Sequence, residues 1–283
     1  MKQALAFLCV MMLLTSVAGA RTKEQNAQAA KLEEFRLKLK SEAFNDREEA
    51  VRSIGTLRKE DRSEFLNREL ILLYKMEVER DAKRMEYADK PGMFEDKVPK
   101  EIQYTNTEEF HEYLGMLARL IAQTRDPAIL PLLIRTMLET DVLIPYGDLA
   151  IDPVIREMES SGNEFRRLVA FVTLRQFYTY KGEAYAPNPE AKARIVAAAI
   201  KFAGHDKDGP NRSGAVEFLG DVGDRSVLPL LERIAADDPY HFRTEAVLGI
   251  DEEMPPGAKI IRYPVRNAAR KAIERIKARD KER

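Results

Sequence analysis

Apolar residues recur along this chain at helical spacing, with charged residues filling the positions between them. Leu32, Phe35, Leu39 and Ala43 fall on one helical face among Lys and Glu. A shorter helix is predicted from Arg47 to Leu57. A third begins where Asp61 and Glu64 have the spacing of a capping box, and it buries Leu66, Leu70 and Leu73. The stretch Glu77 to Lys90 is so rich in charge that it is expected to run out beyond the core or fray. Pro91, Gly92 and Pro99 mark 90–104 as a linker. Almost nothing alternates with the period of two that a half-buried strand requires. The pattern predicts an all-α protein.

Beyond residue 105 the pattern repeats. Residues 128–138 (AILPLLIRTML), 150–160 (AIDPVIREMES) and 226–236 (SVLPLLERIAA) share an apolar-Pro-apolar-apolar core. In the first and third, Asp126 or Asp224 stands five positions before the proline as an N-cap, and the proline is expected to bend the helix. A second pattern alternates with this one. When Arg47, Arg167, Arg212 and Arg266 are aligned, Ala50, Ala170, Ala215 and Ala269 follow in register. After them come Ile54, Leu174, Leu219 and Ile273, and then Leu57, Phe177, Val222 and Ile276. That is the i, i+4, i+7 spacing of a buried stripe, with a small residue where a neighbouring helix comes close.

In these segments, above all 212–236 (RSGAVEFLGDVGDRSVLPLLERIAA) and 264–276 (PVRNAARKAIERI), the chain resembles the HEAT-repeat family, including its shorter PBS-lyase-like variants. The resemblance is good over 205–278, fair over 105–180 and weak before residue 100. It implies an irregular α-solenoid of HEAT-like helix pairs and a tendency to bind partners, and it implies no particular reaction. Residues 238–262 (DPYHFRTEAVLGIDEEMPPGAKIIR) interrupt the last pair. β-formers at both ends and Gly249, Pro255, Pro256 and Gly257 in the middle predict a hairpin or long-loop insertion. The expected organisation is a signal peptide at 1–20, a charged helical region at 21–100 and a HEAT-like repeat domain at 101–283.

The two ends and the charge narrow the function. Lys2, the apolar run Ala4–Leu14 and Ala18-Gly19-Ala20 read as a secretory signal cleaved after Ala20, since the apolar run is shorter than the ~20 residues of a membrane span. Cys9, the single cysteine, lies inside that run. The mature chain is therefore expected to carry no disulfide and no thiolate chemistry, in a secreted or periplasmic setting. Charge is close to balanced overall, with 46 basic and 47 acidic residues, but residues 101–263 hold 18 basic against 26 acidic and residues 264–283 hold 8 against 3. An acidic middle opposes nucleic acid as a partner, which requires a broad basic face.

No catalytic, cofactor or metal set is predicted. His111, His205 and His241 have no second histidine at helical spacing. Asp206, Asp208 and Gly209 suggest a calcium loop, but its register would place Gly204 first and Ala215 last, so turn chemistry accounts for them better. The residues expected to meet a partner are aromatic. One set, Tyr178, Tyr180 and Tyr185, runs off a helix end into a Pro-rich turn, where the competing reading is core sealing. The other, Tyr240, His241, Phe242 and Tyr263, flanks the insertion, which would serve as a binding element or as a cap. The expected function is a protein-binding or scaffold module, with an accessory subunit of an envelope complex as the alternative and an enzyme third.

Overall fold

The computed structural model describes residues 26–27, 29–62, 64–88, 107–136, 138–245 and 259–282. The signal segment, Cys9, the linker and the centre of the insertion lie outside them. The described chain is mainly helical with one two-stranded sheet. It divides into two compact units between Ile129 and Leu130. No helix among the described residues is long and apolar enough to cross a membrane.

The first unit holds α1 (29–39), α2 (Phe44–Gly55), α3 (Glu64–Ala88) and α4 (Thr107–Ala122). Phe35 and Leu39 of α1 are buried as the periodicity requires, whereas Ala43 lies past the end of that helix and is exposed. Leu66, Leu70 and Leu73 enter the core from α3. Phe44 and Tyr113 meet edge to face at 5.1 Å, so α2 and α4 pack through aromatic rings. The charged stretch Glu77 to Lys90, expected to run out beyond the core or fray, starts inside the core at Glu77, while Glu79, Ala82 and Lys83 are exposed and residues 89–90 lie outside the described residues. Glu77 is fully buried and accepts a 2.6 Å hydrogen bond from Arg47 Nε, while Arg80 and the Tyr113 hydroxyl approach the same oxygen at 3.4 Å. A buried carboxylate survives only when paired, and Arg47 supplies the pair. Burial, reinforced by the Glu77 charge, also holds the Tyr113 hydroxyl in its neutral form, far above the ordinary tyrosine value.

The second unit runs through α5 (Leu130–Thr136), α6 (Thr140–Leu143), a 3-10 turn (Ile144–Tyr146), α7 (Asp148–Ser160), α8 (Glu164–Thr179), α9 (Pro189–His205), α10 (Gly209–Val222) and α11 (Leu228–Asp237). Strands β1 (Phe242–Glu245) and β2 (Lys259–Arg262) follow, then α12 (Pro264–Lys281). The strands pair antiparallel with Phe242 opposite Arg262 and Glu245 opposite Lys259. The two ends of the insertion therefore form a ladder. The prolines do not act as expected. Pro131 and Pro229 are the second residues of α5 and α11, where the missing N–H is unneeded, so they start helices and do not bend them. Only Pro153, of the three, stands inside a helix.

The aligned alanines are all fully buried, and Leu174, Leu219, Phe177 and Ile276 are buried beside them, whereas Leu57, Val222 and Ile273 are half-buried. The aligned arginines prove to be clamps. Arg167 Nε and Nη2 hold Asp206 at 2.6 and 3.2 Å, and Arg212 Nε and Nη2 hold Asp238 at 2.7 and 2.9 Å. Each aspartate also lends its backbone carbonyl to the next arginine in line. Asp206 O accepts from Arg212 Nη1 at 2.7 Å, and Asp238 O accepts from Arg266 Nε at 2.7 Å. Arg167, Asp206, Arg212, Asp238 and Arg266 thus form one polar ladder joining the starts of α8, α10 and α12. Beside it, α10 and α12 approach so closely that a Cβ on Gly220 would lie 2.8 Å from Ala272 Cβ. Gly220→Ala is expected to lower stability by about 1–3 kcal/mol through overpacking; a urea melt that matches wild type would refute the close contact.

Candidate functional site

Helix α8 carries apolar residues on two faces. Ala170, Phe171, Leu174 and Phe177 are buried, and Phe171 packs on Phe202 and Phe218 with ring centroids 5.3 and 5.9 Å away. The other face has Phe165, Leu168, Val169 and Val172, the i, i+3, i+4, i+7 spacing of an amphipathic stripe. Here the stripe faces outward, for Phe165 is 68% exposed and Val172 40%. Leu138, Ile144 and Pro145 form the opposite wall, and together they enclose a groove of about 1040 Å³.

Hydrogen bonds fix the groove's shape. Thr173 Oγ1 donates to Leu138 O at 2.6 Å, and the Thr140 hydroxyl donates to Gln176 Oε1, tying the chain before α6 and the start of α6 to α8. At the other edge of α8, Asn163 caps the helix by accepting from Arg166 N, and Arg166 Nη1 and Nη2 reach Arg135 O and Ile134 O at 2.8 and 3.0 Å. Arg166 thereby occupies carbonyls that the end of α5 leaves open. Glu139 and Asp141 stand on one lip of the groove and Lys181 at one end.

The aromatic residues singled out in the sequence fall into separate places. Tyr178 packs edge-on against Phe218 at 5.3 Å with Lys192 over its ring, so it seals the α8–α10 contact. Tyr185 turns back onto Phe177 at 5.5 Å, and its hydroxyl donates to Asp148 Oδ1 at 2.5 Å. Burial and that hydrogen bond together hold the Tyr185 hydroxyl well above the usual tyrosine range. Tyr185 also lies against Gly147, whose φ of 55° suits glycine; a Cβ there would come within 3.1 Å of the ring. Only Tyr180 of this set lines the α8 groove.

The second set does converge. Tyr240 lies over Gly209, where a Cβ would be 2.1 Å from Tyr240 Cγ, and its N–H donates to Asp238 Oδ1 at 2.9 Å. The ladder and the foot of the hairpin are joined through Asp238. His241 stacks obliquely on Tyr263 at 5.5 Å, and Arg266 lies 4.6 Å from the Tyr263 ring centroid. Tyr240 and Tyr263 are half-buried, while His241 and Phe242 are exposed. Ile261, 48% exposed on β2, adds an apolar side chain that the aromatic reading overlooked.

In the short connection between α9 and α10, Asp206 and Asp208 are directed inward. Asp208 caps α10 by accepting from Asn211 N at 2.9 Å, and Asp206 Oδ1 accepts from Asp208 N at 2.8 Å as well as from Arg167. Among the described residues no three His, Cys, Asp or Glu side chains are grouped to hold a metal ion. Comparison of the chain with protein families, curated proteins and solved structures found no match.

Proposed function

We propose that the second unit is a short α-solenoid of HEAT-like helix pairs and that the chain is an exported protein-binding or scaffold module, with the α8 groove as its partner contact. The outward stripe Phe165, Leu168, Val169 and Val172 carries this reading, since a soluble helix ordinarily turns such a stripe inward. The repeated Arg–Asp ladder supports the solenoid, because it joins successive helix starts in the same manner. The occupant that fits is an amphipathic helix of another protein. An apolar face in a groove beside a helix is a recurring recognition mode, and the lip carboxylates of Glu139 and Asp141 favour Lys or Arg along one edge of that helix. The α8 stripe and its continuation to Gln176 cover about three turns, enough for a helix of roughly a dozen residues.

The test is affinity capture from the extracytoplasmic fraction of the native host, comparing wild type with Phe165→Asp combined with Val172→Asp. One stoichiometric protein should be retained by wild type and lost by the variant. Far-UV circular dichroism should be unchanged, since both side chains are exposed. A partner retained equally by both proteins removes the groove as the contact, and no retained partner removes the module reading itself.

A further inference from the structure

The clamp arginines are not equivalent, and one of them, Arg167, lines a pocket. Arg47 Nη1 donates to two carbonyls, Ser41 O and Glu42 O, at 2.9 and 2.8 Å, and Arg212 Nη1 likewise donates to Asp206 O and Lys207 O at 2.7 and 3.2 Å. Arg167 Nη1 donates to Ser161 O alone, at 3.1 Å. With its two bonds to Asp206 this uses three of the five N–H groups of a guanidinium, as Arg47 also does, whereas Arg212 uses four. The side chain is nonetheless only 11% exposed, and it lines a pocket of about 520 Å³ between the ends of α7 and α9. The volume is within the range of small-molecule sites.

The rest of the pocket has a matching character. Met158 and Phe202, both buried, give it an apolar floor. Lys201 and Glu159 pair at 3.0 Å on its rim. The two carboxylates in the lining are thereby both engaged, Glu159 by Lys201 and Asp206 by Arg167. Lys207 adds a third cation, exposed and without a carboxylate partner among the described residues, and His205 lies beside it. A charged guanidinium in the lining with N–H groups beyond those it donates to Asp206 and Ser161, an ammonium without a carboxylate partner and two apolar side chains favour one chemistry: a single carboxylate joined to a compact apolar group.

We propose that this pocket binds such an apolar carboxylate, with Arg167 and Lys207 receiving the anion and Met158 and Phe202 receiving the apolar body. The ligand is a free organic acid or the C-terminal carboxylate of a chain ending in an apolar residue. The pocket is distinct from the α8 groove, so neither proposal requires the other.

The probe is 3-phenylpropionate, titrated at neutral pH into the isotopically labelled protein and followed by amide and arginine Nε–H resonances. Saturable shifts are expected at Gly162, Lys207 and the Arg167 Nε–H, and 3-phenylpropanamide, which has the same body without the charge, should produce none. Lys207→Ala should weaken binding severalfold. Gly162→Trp should abolish it with the fold intact, since a Cβ there meets nothing within 4 Å and Gly162 lines the pocket. A pentapeptide ending in phenylalanine separates the two sources: tighter binding than the free acid assigns a protein C-terminus, and weaker binding assigns a small acid. Absence of saturable shifts, equal shifts from the amide, or full binding by Gly162→Trp overturns the proposal.

Discussion

Glu77→Ala is expected to cost about 3–5 kcal/mol, because it leaves the Arg47 guanidinium buried without its counter-charge. The two side chains are 3% and 0% exposed, so water cannot take the place of the lost partner. Arg47 would keep its Nη1 bonds to Ser41 O and Glu42 O, but its Nε–H would lose its acceptor and its charge would not be neutralised. The double variant Arg47→Met with Glu77→Leu should recover a large part of the loss, since apolar replacement of a buried pair is often close to neutral. Urea denaturation followed by circular dichroism measures both. A single variant within about 1 kcal/mol of wild type would mean that the pair is hydrated in solution.

Arg212→Ala should be comparably damaging in the second unit, again about 3–5 kcal/mol, since it strands the Asp238 carboxylate and removes the donor to Asp206 O and Lys207 O. The same ladder sets a dependence on pH. Burial would raise the Asp206 and Asp238 carboxyls, but hydrogen bonds from Arg167 and Arg212 and from the Asp208 and Tyr240 N–H groups outweigh it, holding both below the ordinary aspartate value. A carboxyl lowered in the folded state contributes stability that is fully present above its unfolded pKa, about 3.9, and disappears as pH falls through the folded value. Urea midpoints should therefore hold at neutral pH and decline below about pH 4. The variant carrying Asp206→Asn and Asp238→Asn should start lower and lose less over that interval. Parallel declines in the two proteins would exclude these carboxyls as the cause.

What spacing can report, the sequence made plain. The four aligned alanines are buried because helical period determines which residues share a face. The ends of the insertion pair as strands because β-formers flank its Gly and Pro residues. The purpose of the aligned arginines was hidden because their carboxylates stand 30, 39 and 26 residues away, where only tertiary packing decides which of many acidic residues is met. Glu77 resembled its charged neighbours for the same reason. The α8 groove escaped notice because a helix with apolar residues on two faces gives no clear direction, and Phe165 and Val172 look like core positions. Arg167 differs from Arg212 by one carbonyl bond, a distinction in loop geometry that residue type does not encode.

The last rung of the ladder also bears on how this chain can change. Arg266 Nε takes hold of the backbone oxygen of Asp238, the first residue of the insertion, where the chain departs from α11. Any residue at 238 offers that oxygen, so the docking of α12 does not depend on what the chain does on its excursion. β1 and β2 then bring the two ends together in a fixed register. Beyond their tips, residues can be gained, lost or exchanged for a foreign peptide with little consequence for helix stacking, since closure entropy grows only slowly with loop length. The hairpin is in this sense a grafting point, where a new recognition element could be carried on an unaltered frame.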